Sequence, residues 1–152
     1  VTNRIVQWDI HASDALAQRR FYTEVFGWRC SHPDDPGEYG FMFTRHGAML
    51  GGIGQAGPDA TPSVAVFVQV DDVPATCKRA VVLGGRMYWG PSAFPDGMVT
   101  ACVADPDGNG LLLIRPSDAG EPYASRRPIA ADQWQWEIHA PDPAALASFY
   151  EA

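Results

Sequence analysis

The chain has 152 residues, 46% of them hydrophobic, and a formal net charge of -7. This suits one globular domain with a proper core and excludes a disordered or fibrous chain. The acidic balance argues against a nucleic-acid partner, and no apolar run approaches the roughly 18 residues that a membrane span needs.

Cys30, Cys77 and Cys102 are odd in number and far apart, so they mark neither a disulfide framework nor a zinc-ligand set. Inert thiols fit a reducing, cytoplasmic setting. The N-terminus lacks the charged-then-apolar order of a signal peptide. Residues 5–11, IVQWDIH, read as a strand. Residues 13–28, SDALAQRRFYTEVFGW, read as a helix with Ser13 or Asp14 as its cap and Gly27 as its stop. Ala17, Phe21 and Val25 fall on one face, with Tyr22 and Phe26 beside them, and are the expected buried side, each large group contributing about 2 kcal/mol. The loop CSHPDDPGE follows, then the short strands YGFMFT and AMLGGI.

GQAGPDATP has linker composition. Gly52, Gly54 and Gly57 satisfy G-x-G-x-x-G, but a dinucleotide site needs a helix to start there, and Pro58 and Pro62 follow instead. The pattern then restarts. SVAVFVQV is a strand, and DDVPATCKRAVVLGG is a helix capped by Asp71 or Asp72. RMYWG, MVTACVA and GLLLIR are strands, with the tight turn DPDGN between the last two. Asp14 and Asp72 lie 58 residues apart, as do Gly27 and Gly85. Two successive βαβββ units follow from this, over residues 5–55 and 63–115, within a domain of residues 1–116. Residues 117–133 are a polar linker. The tail repeats the start: QWEIHAPDPAALASFYEA from Gln135 aligns without a gap on QWDIHASDALAQRRFYTE from Gln7. Residues 134–152 therefore read as the opening strand and half-helix of a second, truncated βαβββ domain. Such a segment has no core of its own, so it is expected to dock on the first domain or to add to another copy.

The strand, the stretch FYTEVFGW, and a βαβββ repeat closing on DPDGN resemble the vicinal oxygen chelate superfamily, the glyoxalase, bleomycin-resistance and extradiol-dioxygenase group. The tandem start resembles two-domain actinobacterial glyoxalase-like proteins. The resemblance implies an α+β fold in which paired βαβββ modules form a curled mixed sheet, a cup enclosing one cavity. It also implies where metal-dependent members place their ligands, which here are Gln7, Ala65 and Leu112. Ala and Leu carry no donor atom and Gln is a weak neutral ligand, so no metal or other cofactor is expected. The tail has Gln135 at the same place.

Strand alternation puts Gln7, Asp9 and His11 on one face. Asp9 and His11 are either an acid–base couple, a pair of ligands for a displaced metal, or, more plainly, a structural carboxylate bound to an amide or Arg beside a rim histidine. His32 and His46 fall on loops. Ala65, Phe67 and Gln69 share the inward face of the second unit, joined by Leu112. Phe41 and Phe43 are inward on theirs, and Trp89 and Phe94 flank GPSAFPDG, a loop expected over the mouth. Such a lining suits a flat organic ligand. Two functions compete. One is a metal-free small-molecule binding protein for an aromatic or polyketide-like ligand. The other is a lyase, isomerase or oxygenase on such a substrate, with Asp9 and His11 catalytic. The expected partners are a small organic ligand and a second copy, as a homodimer or through the tail, and neither nucleic acid nor membrane.

Overall fold

The computed structural model describes residues 3–117 and 136–151. Nearly all of the predicted linker, together with Trp134 and Gln135, lies outside the described residues. The first module runs β1 (Arg4–Ala12), α1 (Ala15–Phe26), β2 (Arg29–Cys30), β3 (Gly40–Phe43) and β4 (Met49–Gln55). The second runs β5 (Ser63–Gln69), α2 (Val73–Val82), β6 (Arg86–Ala93), β7 (Val99–Ala104) and β8 (Gly110–Arg115). The eight strands form one curled sheet in the order β2-β3-β4-β1-β5-β8-β7-β6. Within each module the first strand lies parallel to the last, and the modules meet along the antiparallel pair β1–β5.

The helices form where the caps predict. Asp14 accepts from the Ala17 amide at 2.9 Å and Asp72 from the Ala75 amide at 2.8 Å, each satisfying a donor that the first turn leaves free. Gly27 ends α1 at φ 65°, in the left-handed region. Each helix covers the outer face of its own module. Trp8, Ile10, Met42, Leu50 and Ile53 pack under α1. Val66, Ala101, Val103, Leu111 and Leu113 pack with Val73, Cys77 and Ala80 of α2. Alternation sends the neighbouring residues to the concave face. Gly52 and Gly54 fall inside β4, which settles the glycine pattern as strand.

The buried face of α1 is not the one its apolar spacing predicts. Phe21, Val25 and Phe26 are 53%, 55% and 53% exposed. Ala15 and Arg19 are the buried helix positions. Arg19 is wholly buried, and its guanidinium donates to backbone oxygens of Ile53 at 3.1 Å, His32 at 2.9 Å, Asp35 at 2.7 Å and Glu38. Apolar periodicity cannot find a face centred on a cation. The outward rings still stack partly on one another: Phe26 on Trp28 at 5.0 Å and Tyr22 on Trp28 at 5.6 Å.

Two further expectations change. GPSAFPDG, expected as a loop over the mouth, instead extends β6 through its first part as far as Ala93, which pairs with Val99. β6 is an edge strand, where proline is tolerated. The tail gives its helix, α3 (Pro143–Glu151), capped by Asp142 on the Ala145 amide at 3.0 Å just as Asp14 caps α1. Residues 136–140 are not in strand. Among the described residues they have no parallel neighbour such as β4 provides for β1. The tail rests on its own domain. Leu146 is buried, Phe149 packs on the second-module core, and the Tyr150 hydroxyl donates to Asp105 at 2.8 Å. Trp136 and Ile138 close one side of a cavity of about 440 Å³ there.

Two outcomes follow from this packing. Arg19→Met should lower unfolding stability by about 3 kcal/mol, because four carbonyls, that of Ile53 fully buried, lose their donor. Urea denaturation measures it, and a loss under about 1 kcal/mol would show the guanidinium to be dispensable. Phe149→Ala should raise hydrogen exchange across α3 to that of a free peptide while β1 and β4 stay protected. Unchanged protection of α3 would mean that Phe149 does not anchor the tail.

Candidate functional site

The concave face is built from two rows of paired residues. One row runs Trp89, Cys102, Leu112, Phe67, Gln7 across β6, β7, β8, β5 and β1. The next runs Phe41, Gly52, Asp9, Ala65 across β3, β4, β1 and β5. Above it lie Gly54, His11 and Ser63. The structure therefore places Gln7, Asp9, His11, Phe41, Ala65, Phe67 and Leu112 on one face of the sheet. Phe43 pairs with Met49 beyond a register shift, and Gln69 pairs with Arg4 and Ile114 at the far end. Trp89 and Phe94 are at the rim, 44% and 46% exposed.

The positions that the resemblance assigns to metal ligands are hydrophobic or closed. Ala65, Leu112 and Cys102 pack as one apolar cluster with Phe67 against it. Cys102 offers no thiolate, because burial, then the charge of Asp9, pushes its pKa up to about 11. Among the described residues no group of three or more His, Cys, Asp and Glu converges. The residues present do not suit a divalent ion.

Gln7 is 0% exposed, and neither its Nε2 nor its Oε1 has a hydrogen-bond partner. An unsatisfied buried amide costs about 1–3 kcal/mol for each group. It is the unfilled valence of this face.

Asp9, two residues on, is 3% exposed. Its Oδ1 accepts from the Tyr39 hydroxyl, and its Oδ2 lies 2.9 Å from Nε2 of His11. The carboxylate therefore holds a tyrosine and a histidine rather than an amide or an arginine. The hydrogen bond to Asp9 raises the His11 pKa against the opposing effect of burial. His11 is the accessible end of the couple, its side chain 39% exposed. The tail copies the pair loosely, with His139 3.9 Å from Glu137, both exposed. His32 is exposed on the loop, as expected.

Sequence reasoning missed Tyr39. It stands at the head of β3, just before the paired residues, and its ring lies in the gap left by the glycines of β4. A Cβ on Gly52 would overlap the phenol, and one on Gly54 would come within 3.2 Å of it. The signal was there in two parts: glycines at alternate positions in a strand, and a tyrosine beside them.

Comparison with known proteins comes down on the same architecture. The family model described as "Glyoxalase-like domain" matches residues 6–114. "Putative glyoxylase CFP32" of Mycobacterium tuberculosis is 29% identical over 111 residues, covering 69% of this chain and 42% of that protein. "Anthracycline biosynthesis protein DnrV" of Streptomyces peucetius is 26% identical over 124 residues, covering 71% and 45%. The chain thus spans less than half the length of these curated relatives. The Mn(II)-bound glyoxalase of Novosphingobium aromaticivorans superposes with a TM-score of 0.53 at 17% identity, over 74% of this chain and 38% of that one. At that identity the likeness is one of fold.

The His11 pair sets a pH dependence. A folded pKa raised above 6.5 means that the pair stabilises fully below about pH 6.5, and that this contribution is lost as the pH rises through the folded value. Asp9→Asn should return the His11 titration, followed by NMR of its ring protons, to near or below 6.5 and flatten the stability profile in that window. An unchanged titration would mean that Asp9 does not govern His11.

Proposed function

The chain belongs to the glyoxalase-like domain family, and from that premise we propose that it binds a flat aromatic or polyketide-like molecule on its concave face without a metal ion. The observation that carries the reading is Gln7, a wholly buried amide with both polar atoms unpartnered. A ligand with a donor and an acceptor would satisfy both atoms. Phe41, Phe67, Ala65 and Leu112 supply the apolar surround. A relative's name places it in anthracycline biosynthesis, which agrees with an aromatic ligand class. No helix among the described residues is long and apolar enough to cross a membrane.

The chain Tyr39–Asp9–His11 supports a second reading, a lyase or isomerase of the same superfamily. His11, oriented by Asp9 and accessible, would exchange the proton with the ligand, and Asp9 would stabilise the imidazolium. The exposed stripe of Phe21, Val25 and Phe26 makes self-association part of the proposal.

Titrating polycyclic aromatics while following tryptophan emission tests the main reading, with binding expected at micromolar strength, about -8 kcal/mol. Gln7→Met should raise unfolding stability by about 1–2 kcal/mol and weaken binding about tenfold. A destabilised Gln7→Met protein that binds as before would remove the basis of the reading. Dialysis against a chelator should leave melting temperature and affinity unchanged, and elemental analysis showing one zinc, manganese, iron or nickel per chain would overturn the metal-free assignment.

A further inference from the structure

β4 lays a flat strip of backbone across the cup where Gly52 and Gly54 pair with Asp9 and His11. Neither glycine projects a side chain, and the space above them holds the Tyr39 ring. Phe41 closes one side, edge-on to Tyr39 with centroids 4.9 Å apart at 72°. At the far end the Asp9 carboxylate, 3% exposed, accepts the phenolic hydrogen bond. Floor, wall and buried acceptor together form a complete slot for one phenol ring. Its occupant comes from the same chain.

We propose that this slot is the ring subsite for a phenolic ligand, whose hydroxylated ring displaces Tyr39 and donates to Asp9 in its place. The inference rests on the aromatic-ligand reading above and narrows it to hydroxylated fused-ring molecules. Two observations support exchange rather than a fixed core tyrosine. The walls are paired strands, and Tyr39 is itself partly exposed, so its ring can turn outward about its own side-chain torsion while the Arg19 bonds hold His32, Asp35 and Glu38 in place. Withdrawal of one ring therefore uncovers the slot without breaking the sheet. Gln7, on the same face as Asp9, is buried and unpartnered while Tyr39 is in place, so the present occupant leaves part of the polar lining unused. Residues two apart on a strand lie roughly 6–7 Å apart. That spacing suits a fused polycycle with a hydroxyl at Asp9 and a second oxygen on another ring at Gln7.

The test uses para-cresol, which is the tyrosine side chain as a free molecule, with toluene as its partner lacking the hydroxyl. Tyr39→Ala should bind para-cresol about tenfold more tightly than it binds toluene, and about tenfold more tightly than the unaltered protein binds para-cresol. The unaltered protein should prefer a dihydroxyanthraquinone to anthraquinone, and Tyr39→Ala should strengthen that binding because nothing remains to be displaced. Equal binding of para-cresol and toluene overturns the slot, as does weaker dihydroxyanthraquinone binding by Tyr39→Ala, which would make Tyr39 a contact rather than an occupant. If both quinones bind the unaltered protein equally, the phenol inference falls and the aromatic reading stands. If neither binds any form, both fall. Tyr39→Phe guards against a misfolded alanine variant. It keeps a ring in the slot but removes its bond to Asp9, so dihydroxyanthraquinone binding should tighten several-fold, and unchanged or weaker binding counts against displacement.

Discussion

One buried cation organises the first module. The Arg19 guanidinium lies under the sheet among backbone oxygens of His32, Asp35, Glu38 and Ile53, and it ties the long excursion between β2 and β3 to the end of β4. A buried charge is tolerable only when its donors are engaged, so the loop must keep its course for Arg19 to remain inside. That course delivers Tyr39 to the far face of the sheet, where it meets Asp9. Asp9 in turn orients His11. The helix thus governs the chemistry of the cup through backbone carbonyls, from the opposite side of the sheet.

The architecture was legible because its signals are local. Aspartates at equal spacing cap both helices, alternating apolar strands mark the two outer cores, and the copied start marks the helix of the tail. The site was legible in part. Gln7, Asp9 and His11 follow from alternation along a single strand. Tyr39 could not be paired with Asp9 by any such rule, since the two are 30 residues apart and joined through a loop whose path depends on Arg19. The same arginine inverts the reading of α1: spacing identifies an apolar stripe but does not say that it faces the core. Phe21 and Val25 lie outward because a charged residue with enough carbonyl acceptors holds the inner position.

The fold and the site carry different amounts of functional information. The match over residues 6–114 fixes the family, and a family of this kind hosts many chemistries. On the concave face Ala65, Cys102 and Leu112 form an apolar cluster, and an amide, a carboxylate, a histidine and a tyrosine stand nearby. The two large cores lie on the outer face, while Gln7, Asp9, Ala65 and Leu112 are themselves buried on the other.

The edges of the sheet bear on assembly. At one end β2 has two residues, too few to template a neighbour. At the other, β6 carries Pro91, whose ring nitrogen has no hydrogen to donate. Both margins therefore discourage ladder growth, the usual route from an open sheet to fibres. The aromatic shoulder of α1 is exposed apolar side chain, and contacts between side chains are reversible in a way that shared backbone ladders are not.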